Sequence, residues 1–205
     1  MELEPGTFHL SRWLAPDRQA ALVGRCLEIG AGPAGFYRPT VRGGGQMRID
    51  MVCLGRHWNA KTYRYESDRT DYDGLPAPPL PADLAAFARA VTDHLGLAFD
   101  PDICILNRYP ADGRLGLHQD KDERPETLAA GVPIVSLSLG DTARFLLGGL
   151  RRRDPVRTLL LESGDALVLA GPSRLRYHGV ARLLPGTAPP ALGIEGRLNL
   201  TFRQF

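Results

Sequence analysis

The chain has almost no lysine, few cysteines and no long apolar run, and each shortage excludes something. Lys61 and Lys121 are the only lysines among the 25 basic residues, so nearly all the positive charge is arginine. Genomic codon bias accounts for that as readily as function does; functionally, guanidinium forks suit phosphates and carboxylates. The three cysteines, Cys26, Cys53 and Cys104, are scattered, and an odd number cannot close into a complete disulfide framework. Reduced thiols in a cytosolic protein are the simplest account. No apolar stretch approaches the roughly 20 residues that span a bilayer. Met1 to Leu10 lacks the basic segment and apolar run of a signal peptide. A large excess of one charge is missing as well: a net charge of +2 neither requires nor excludes a nucleic-acid partner. The expectation is a soluble cytoplasmic protein.

What is present suits one sizeable domain spanning 1–205, with 43% hydrophobic and 23% charged residues. Pro16 and Asp17 are start signals for a helix over Pro16 to Ile29, with Leu22, Cys26 and Leu27 on one side. A polar, glycine-broken region, Arg42 to Gly74, holds Trp58, Tyr63, Tyr65 and Tyr72. The proline-rich stretch Pro76 to Pro81 leads into a second helix, Ala82 to Leu95. There Leu84, Phe87, Ala88, Val91 and Leu95 recur at helical spacing, and Gly96 is its stop. Beyond Gly96 short strands are predicted at Ile103–Tyr109, Pro133–Leu139, Phe145–Leu147, Thr158–Leu161, Ala166–Ala170 and Leu198–Phe202, parted by turns such as Asp112-Gly113 and Ser163-Gly164-Asp165. This pattern predicts a mostly β fold with flanking helices: a jelly roll over 96–205, with helices from 1–95 packed on one side.

The chemistry begins in LGLHQDKDE, Leu115 to Glu123. His118 and Asp120 are two apart, so on extended backbone both side chains point to one face and reach one ion. His9 and His57 precede the β region and His94 sits in the second helix, which leaves His178, in RLRYHGV, as the natural third ligand. Two histidines and a carboxylate leave coordination positions open, the arrangement expected of non-haem Fe(II) oxygenases. An H-x-D pair alone is weak evidence, since a surface loop with a capping aspartate has the same spacing.

The last strand carries a second signal. In RLNLTFRQF, Arg197 to Phe205, the residues Leu198, Leu200 and Phe202 alternate with Arg197, Asn199, Thr201 and Arg203. A solvent-facing strand has the same pattern. Yet two arginines flanking an amide and a hydroxyl also suit a dicarboxylate, which arginine binds bidentately.

These segments together resemble the AlkB family of Fe(II)- and 2-oxoglutarate-dependent dioxygenases, its bacterial members above all. The matching stretches are NRYPADGRLGLHQDKDE (Asn107 to Glu123), PIVSLSLG (Pro133 to Gly140), GGLRRRDP (Gly148 to Pro155), LLLESGD (Leu159 to Asp165), SRLRYHG (Ser173 to Gly179) and RLNLTFRQ (Arg197 to Gln204). The resemblance implies a double-stranded β-helix core, and iron held by His118, Asp120 and His178. It implies 2-oxoglutarate held by Asn107, Tyr109, Arg197, Asn199 and Arg203, with Arg197 favoured for the far carboxylate, and O₂ as the second co-substrate. It also implies oxidative removal of N-alkyl groups from nucleobases such as 1-methyladenine and 3-methylcytosine, releasing an aldehyde, succinate and CO₂. A base inside a duplex cannot reach such a site, so single-stranded or flipped-out DNA is the implied partner, with duplex DNA or RNA also open. Trp58, Tyr63 and Tyr65 match the family's nucleotide-recognition lid, Asp122 a base-contacting position and Arg152 a substrate-contacting arginine; Arg151, Arg153 and Arg157 either extend a phosphate patch or are surface charge. The link Arg124 to Gly131 is longer than the family's, and Met1 to Thr40 matches it weakly. A monomer without a membrane partner is expected. Two further readings stand beside this one: the same chemistry on tRNA or another non-DNA substrate, and a cupin-like metal-binding module without catalysis.

Overall fold

A computed structural model describes residues 1–205. The chain opens with two short strands, β1 (Glu2–Glu4) and β2 (Thr7–Leu10), followed by α1 (Pro16–Ala31). Pro16 opens the helix and Asp17 lies in its first turn, as their chemistry requires. Its buried face is Gln19, Leu22, Val23 and Cys26. Leu27, predicted to share that face, is exposed, because one residue past Cys26 turns the side chain about 100° around the axis.

The glycine-broken region hides three strands: β3 (Asp50–Leu54) and the hairpin β4 (His57–Asn59) and β5 (Arg64–Glu66). Met51, Val52, Cys53 and Leu54 of β3 are all buried. With both faces covered the strand has no polar alternation, which is why its sequence reads as irregular. Helix α2 (Ala82–His94) follows as predicted, burying Leu84, Ala85, Ala88 and Val91. Gly96, at φ +67°, supplies the left-handed residue after its end.

The remaining elements are β6 (Ile103–Tyr109), β7 (Leu115–His118), α3 (Pro125–Ala129), β8 (Ile134–Gly140), β9 (Thr142–Leu147), β10 (Arg157–Leu161), β11 (Ala166–Leu169), β12 (His178–Leu184) and β13 (Arg197–Arg203). All six predicted strands are among them, within a few residues. Of the rest, β12 escaped prediction because Gly179 and Arg182 interrupt its apolar pattern and a register shift falls between Val180 and Arg182.

Seven strands form the major sheet in the order β1-β2-β11-β8-β13-β6-β3, and four form the minor sheet, β10-β9-β12-β7. From β6 onward the chain passes repeatedly between the two, which makes a double-stranded β-helix, or jelly roll. The first 95 residues thus supply both edges of the major sheet as well as helices. One apolar cluster joins α1 and α2 to the outer face of that sheet through Leu106, Leu137, Leu200 and Phe202. A second lies between the sheets and includes Met51, Ile105, Phe145, Leu167 and Val180. All seven residues of β13 are buried: its leucines and Phe202 pack under the helices, so its polar residues face the space between the sheets.

Asp165 ties the N-terminal strands to this core. It accepts the Arg12 N–H at 2.8 Å and the Glu162 N–H at 2.9 Å, and its Oδ2 lies 2.8 Å from His9 Nε2. Burial pushes its carboxyl up, but the His9 ring and the two N–H donors hold it net below its ordinary value. A depressed carboxylate contributes stability that is present above the unfolded value near 4 and is lost as pH falls through the native one. Replacing Asp165 by Asn therefore costs about 1–3 kcal/mol at neutral pH. Urea titrations should show the gap between wild type and variant shrinking as pH falls below about 4; a gap that does not change with pH contradicts the assignment.

Candidate metal centre

Strand pairing brings the two histidines together. His178 of β12 lies directly opposite His118 of β7. Gly179 permits that approach, since a Cβ there would sit 2.6 Å from the Leu115 carbonyl oxygen. Asp120 lies just beyond the end of β7 and completes the group: the ligand atoms of His118, Asp120 and His178 all fall within 4.8 Å of one another. Nε2 of His118 is 3.6 Å from Asp120 Oδ1, and Nε2 of His178 is 3.6 Å from Oδ2. The opposite ring nitrogens face carbonyls, His118 Nδ1 that of Gly116 at 2.8 Å and His178 Nδ1 that of Arg176 at 3.0 Å. A carbonyl only accepts, so each Nδ1 carries the proton and each Nε2 turns its lone pair toward the others. Burial, and then the neighbouring His178, pull His118 down to about 4, so it is a neutral ligand at pH 7. Phe145 stacks on the His178 ring, with centroids 5.8 Å apart. Two imidazoles and a carboxylate converging on one point fit a divalent cation with open positions.

A buried ionic network holds Asp120. Arg203, at the end of β13, bonds to its Oδ2, and Arg203 Nε lies 3.3 Å from Glu123 Oε1. Arg174 Nη2 lies 3.0 Å from Glu123 Oε2, while Arg174 also donates to the Asp120 carbonyl at 2.6 Å and the Val132 carbonyl at 2.8 Å. Burial opposes the charge on Asp120, but Arg203, with both imidazoles, holds the carboxylate well below its ordinary value. Glu123 and Arg174 were not singled out from sequence, because nothing in their local pattern separates a buried charge from a surface one.

From this centre a narrow slot runs between the sheets along the polar face of β13. Its lining includes Asn107, Tyr109, Ser136, Arg197, Asn199, Thr201 and Arg203. Cross-strand register sets Asn199 opposite Asn107 and Arg197 opposite Tyr109. Asn199 is already engaged, donating to Ser136 Oγ at 2.8 Å and to the Leu137 carbonyl at 2.9 Å, and accepting from Thr201. Arg197 is different. It is 2% exposed and donates to Ser138 Oγ at 3.0 Å, yet its Nε and Nη1 have no partner. Two orphaned guanidinium donors inside a protein are costly, and a carboxylate satisfies them. The slot therefore has Arg203 beside the metal ligands and Arg197 six residues along the strand, with an unmet requirement for an anion. The solvent-facing alternative for this strand fails, since every residue of it is buried.

A second, wider cavity of about 600 Å³ reaches His118 and Asp120 from outside, and Trp58, Tyr63, Tyr65, Asp122 and Arg152 all line it. Trp58 and Tyr65 are cross-strand partners in the β4–β5 hairpin, so they share a face. Trp58 Nε1 donates to Asp122 Oδ2 at 2.8 Å. Burial pushes the Asp122 carboxyl up. Tyr63 sits in the hairpin turn at φ +56°, where its ring meets Trp58 edge-on at 5.8 Å. Arg152 donates to the Leu117 carbonyl at 2.9 Å and lies 5.9 Å from the Tyr177 ring. Arg151 pairs with Asp154 and Arg157 with Glu4, so neither is a free cation beside Arg152. Sequence reasoning missed Tyr177, Met47 and Met51, which complete the wall; an isolated tyrosine and two methionines carry no spacing signal.

Comparison with known proteins agrees with this geometry. The 2OG-Fe(II) oxygenase superfamily matches residues 6–203. The chain is 42% identical to the DNA N(6)-methyladenine demethylase ALKBH1C of Arabidopsis thaliana over 99% of its own length and 49% of the relative's. It is 41% identical to the alpha-ketoglutarate-dependent dioxygenase AlkB of Salmonella typhimurium, over 98% of this chain and 91% of that one. The solved structure of OsALKBH1 superimposes with a TM-score of 0.93 at 39% identity, covering 100% of this chain and 99% of the other. The chain spans about half the length of the Arabidopsis relatives it matches.

The close approach at Gly179 has a measurable consequence. Gly179→Ala should push β7 from β12 and part His118 from His178. Calorimetric titration with Mn(II) should then show at least about tenfold weaker binding with an unchanged circular dichroism spectrum. Unaltered affinity would mean that the strand spacing does not govern the ligand set.

Proposed function

The chain belongs to the 2OG-Fe(II) oxygenase superfamily, and from that premise we propose that it oxidatively dealkylates N-alkylated nucleobases in nucleic acid, preferably single-stranded DNA. The observation that carries the reading is the meeting of two cavities at His118 and Asp120: a buried slot ending at Arg197, and an outer pocket walled by aromatic rings. Names of relatives in the family point the same way, to an alpha-ketoglutarate-dependent dioxygenase and a DNA demethylase.

In this reading His118, Asp120 and His178 hold Fe(II), which with 2-oxoglutarate and O₂ supplies the oxidising power to hydroxylate the alkyl carbon, leaving succinate and CO₂. The N–CH₂OH product then breaks its C–N bond, releasing an aldehyde and the unmodified base. The protein's part is placement. Arg197, with Tyr109 beside it, takes the far carboxylate of 2-oxoglutarate. Arg203 holds Asp120 and faces the near end of the slot, while Asn107 and Asn199 line it between. Trp58, Tyr63 and Tyr65 give the flipped base flat surfaces to stack on, Asp122 accepts from its edge, and Arg152 meets a flanking phosphate. We further propose that the protein acts as a monomer in the cytoplasm. The buried, unpaired cysteines Cys26, Cys53 and Cys104 suit a reducing compartment, and both sheets close their inner faces within one chain. No helix is long and apolar enough to cross a membrane.

Mass spectrometry should detect loss of the methyl mass from single-stranded DNA bearing 1-methyladenine or 3-methylcytosine, dependent on Fe(II) and 2-oxoglutarate. Turnover confined to N6-methyladenine would replace the lesion, and turnover confined to methylated tRNA would replace the nucleic acid. No loss on any of them overturns the reading. For Arg197→Ala, the KM for 2-oxoglutarate should rise about 30- to 150-fold, the equivalent of losing 2–3 kcal/mol of charge-assisted bonding, with Mn(II) affinity unchanged. An unaltered KM removes Arg197 from co-substrate binding.

A further inference from the structure

The long link after Glu123 folds into α3, yet no residue of α3 lines either cavity at the metal ligands. Its contacts go instead to Phe205, two residues past Arg203. Thr127 Oγ1 donates to the Phe205 carbonyl oxygen at 3.0 Å, and the Arg124 guanidinium lies 5.0 Å from the Phe205 ring centre. On the hairpin side, the Arg56 guanidinium lies 4.2 Å from the same ring, and the Tyr65 ring meets it edge-on with centroids 6.0 Å apart at 76°. The Phe205 N–H is fixed as well, donating to Asp102 Oδ1 at 2.7 Å. One aromatic side chain therefore joins three segments: the end of the strand that carries Arg203, the link that carries α3, and the hairpin that carries Trp58 and Tyr65.

Neither Arg56 nor Arg124 has a carboxylate partner, so the ring is the partner of both, through the attraction of a cation to a π face. The edge-on contact with Tyr65 is the preferred aromatic geometry. Tyr65 in turn shares the outer cavity with Arg203 and Asp122. The hairpin is otherwise short, with three residues in each strand, and a two-stranded ribbon of that length does not hold its position unaided.

We propose that Phe205 is a positioning residue for the substrate lid: braced by α3, it sets the distance between Tyr65 and the metal-bearing strand and so fixes the width of the outer cavity. The longer link acts on substrate binding through this ring and not by touching substrate. The effect on nucleic-acid KM rests on the function proposed above; the effect on the hairpin itself does not.

The experiment compares wild type with Phe205→Ala and Phe205→Tyr. Hydrogen exchange is followed by mass spectrometry in the substrate-free protein, alongside KM and kcat on the methylated oligonucleotide and 2-oxoglutarate turnover without nucleic acid. In Phe205→Ala the amides of 57–66 should exchange about tenfold faster, while those of β6 and β13 keep their protection. The KM for the oligonucleotide should rise about tenfold, with kcat and turnover without nucleic acid within about twofold of wild type. Phe205→Tyr, which keeps the ring, should restore both. Unchanged exchange at 57–66, equal loosening of β6 and β13, or failure of Phe205→Tyr to restore protection each overturns the proposal. If wild type turns over no oligonucleotide, the function reading fails and the exchange data alone decide this one.

Discussion

The site depends on one buried contact, the ion pair between Arg203 and Asp120. A carboxylate placed between two imidazoles in an apolar interior is costly to keep charged. Arg203 offsets that cost, and it is itself held by Glu123, which is held by Arg174. Two arginines and two acids thus share one enclosed space with their charges balanced. Removing any member leaves a buried charge without its partner, and that costs more than the intact network contributes to stability. The network also has a geometric effect. Arg174 fixes the Asp120 carbonyl while Arg203 fixes its carboxylate, so the loop after β7 is held at both backbone and side chain.

β13 is where fold and chemistry meet. Its apolar side chains anchor the major sheet to α1 and α2, and its polar ones line the slot between the sheets. Period-two alternation lets one strand do both. A one-residue slip would drive Arg197 and Arg203 under the helices and Leu200 into the slot, so the register that stabilises the fold is the register that builds the site. The outer cavity is less deeply set. Its aromatic wall comes from a short hairpin held by side-chain contacts: Trp58 to Asp122, His57 to the buried Asp71, and Tyr65 to Phe205. A rigid inner slot with a lightly anchored outer wall suits a small fixed co-substrate and a large substrate that must enter and leave.

Much of this was legible in the residues. His118, Asp120 and His178 stood out because metal ligation admits few donor types and the H-x-D spacing is short. Arg197 to Arg203 stood out because its alternation is strict. Strand β3 was not legible, because a strand covered on both faces loses its polar rhythm. His178 begins β12, a strand that was not legible because Gly179 and Arg182 break its pattern. Glu123, Arg174 and Phe205 were invisible as organisers for a shared reason. Their roles lie in contacts between distant segments, and a buried arginine or acid has the same local sequence as a solvated one.

The central claim is that the space beside the three metal ligands is shaped for a dicarboxylate, anchored at its far end by the unpaired donors of Arg197. Calorimetric titration of the Mn(II)-loaded protein under argon, first with 2-oxoglutarate and then with pyruvate, tests it most directly. Pyruvate keeps the keto acid that faces the metal and lacks the far carboxylate. The account predicts that pyruvate binds at least about 30-fold more weakly, since Arg197 then stays unpaired. Equal affinity for the two would contradict it.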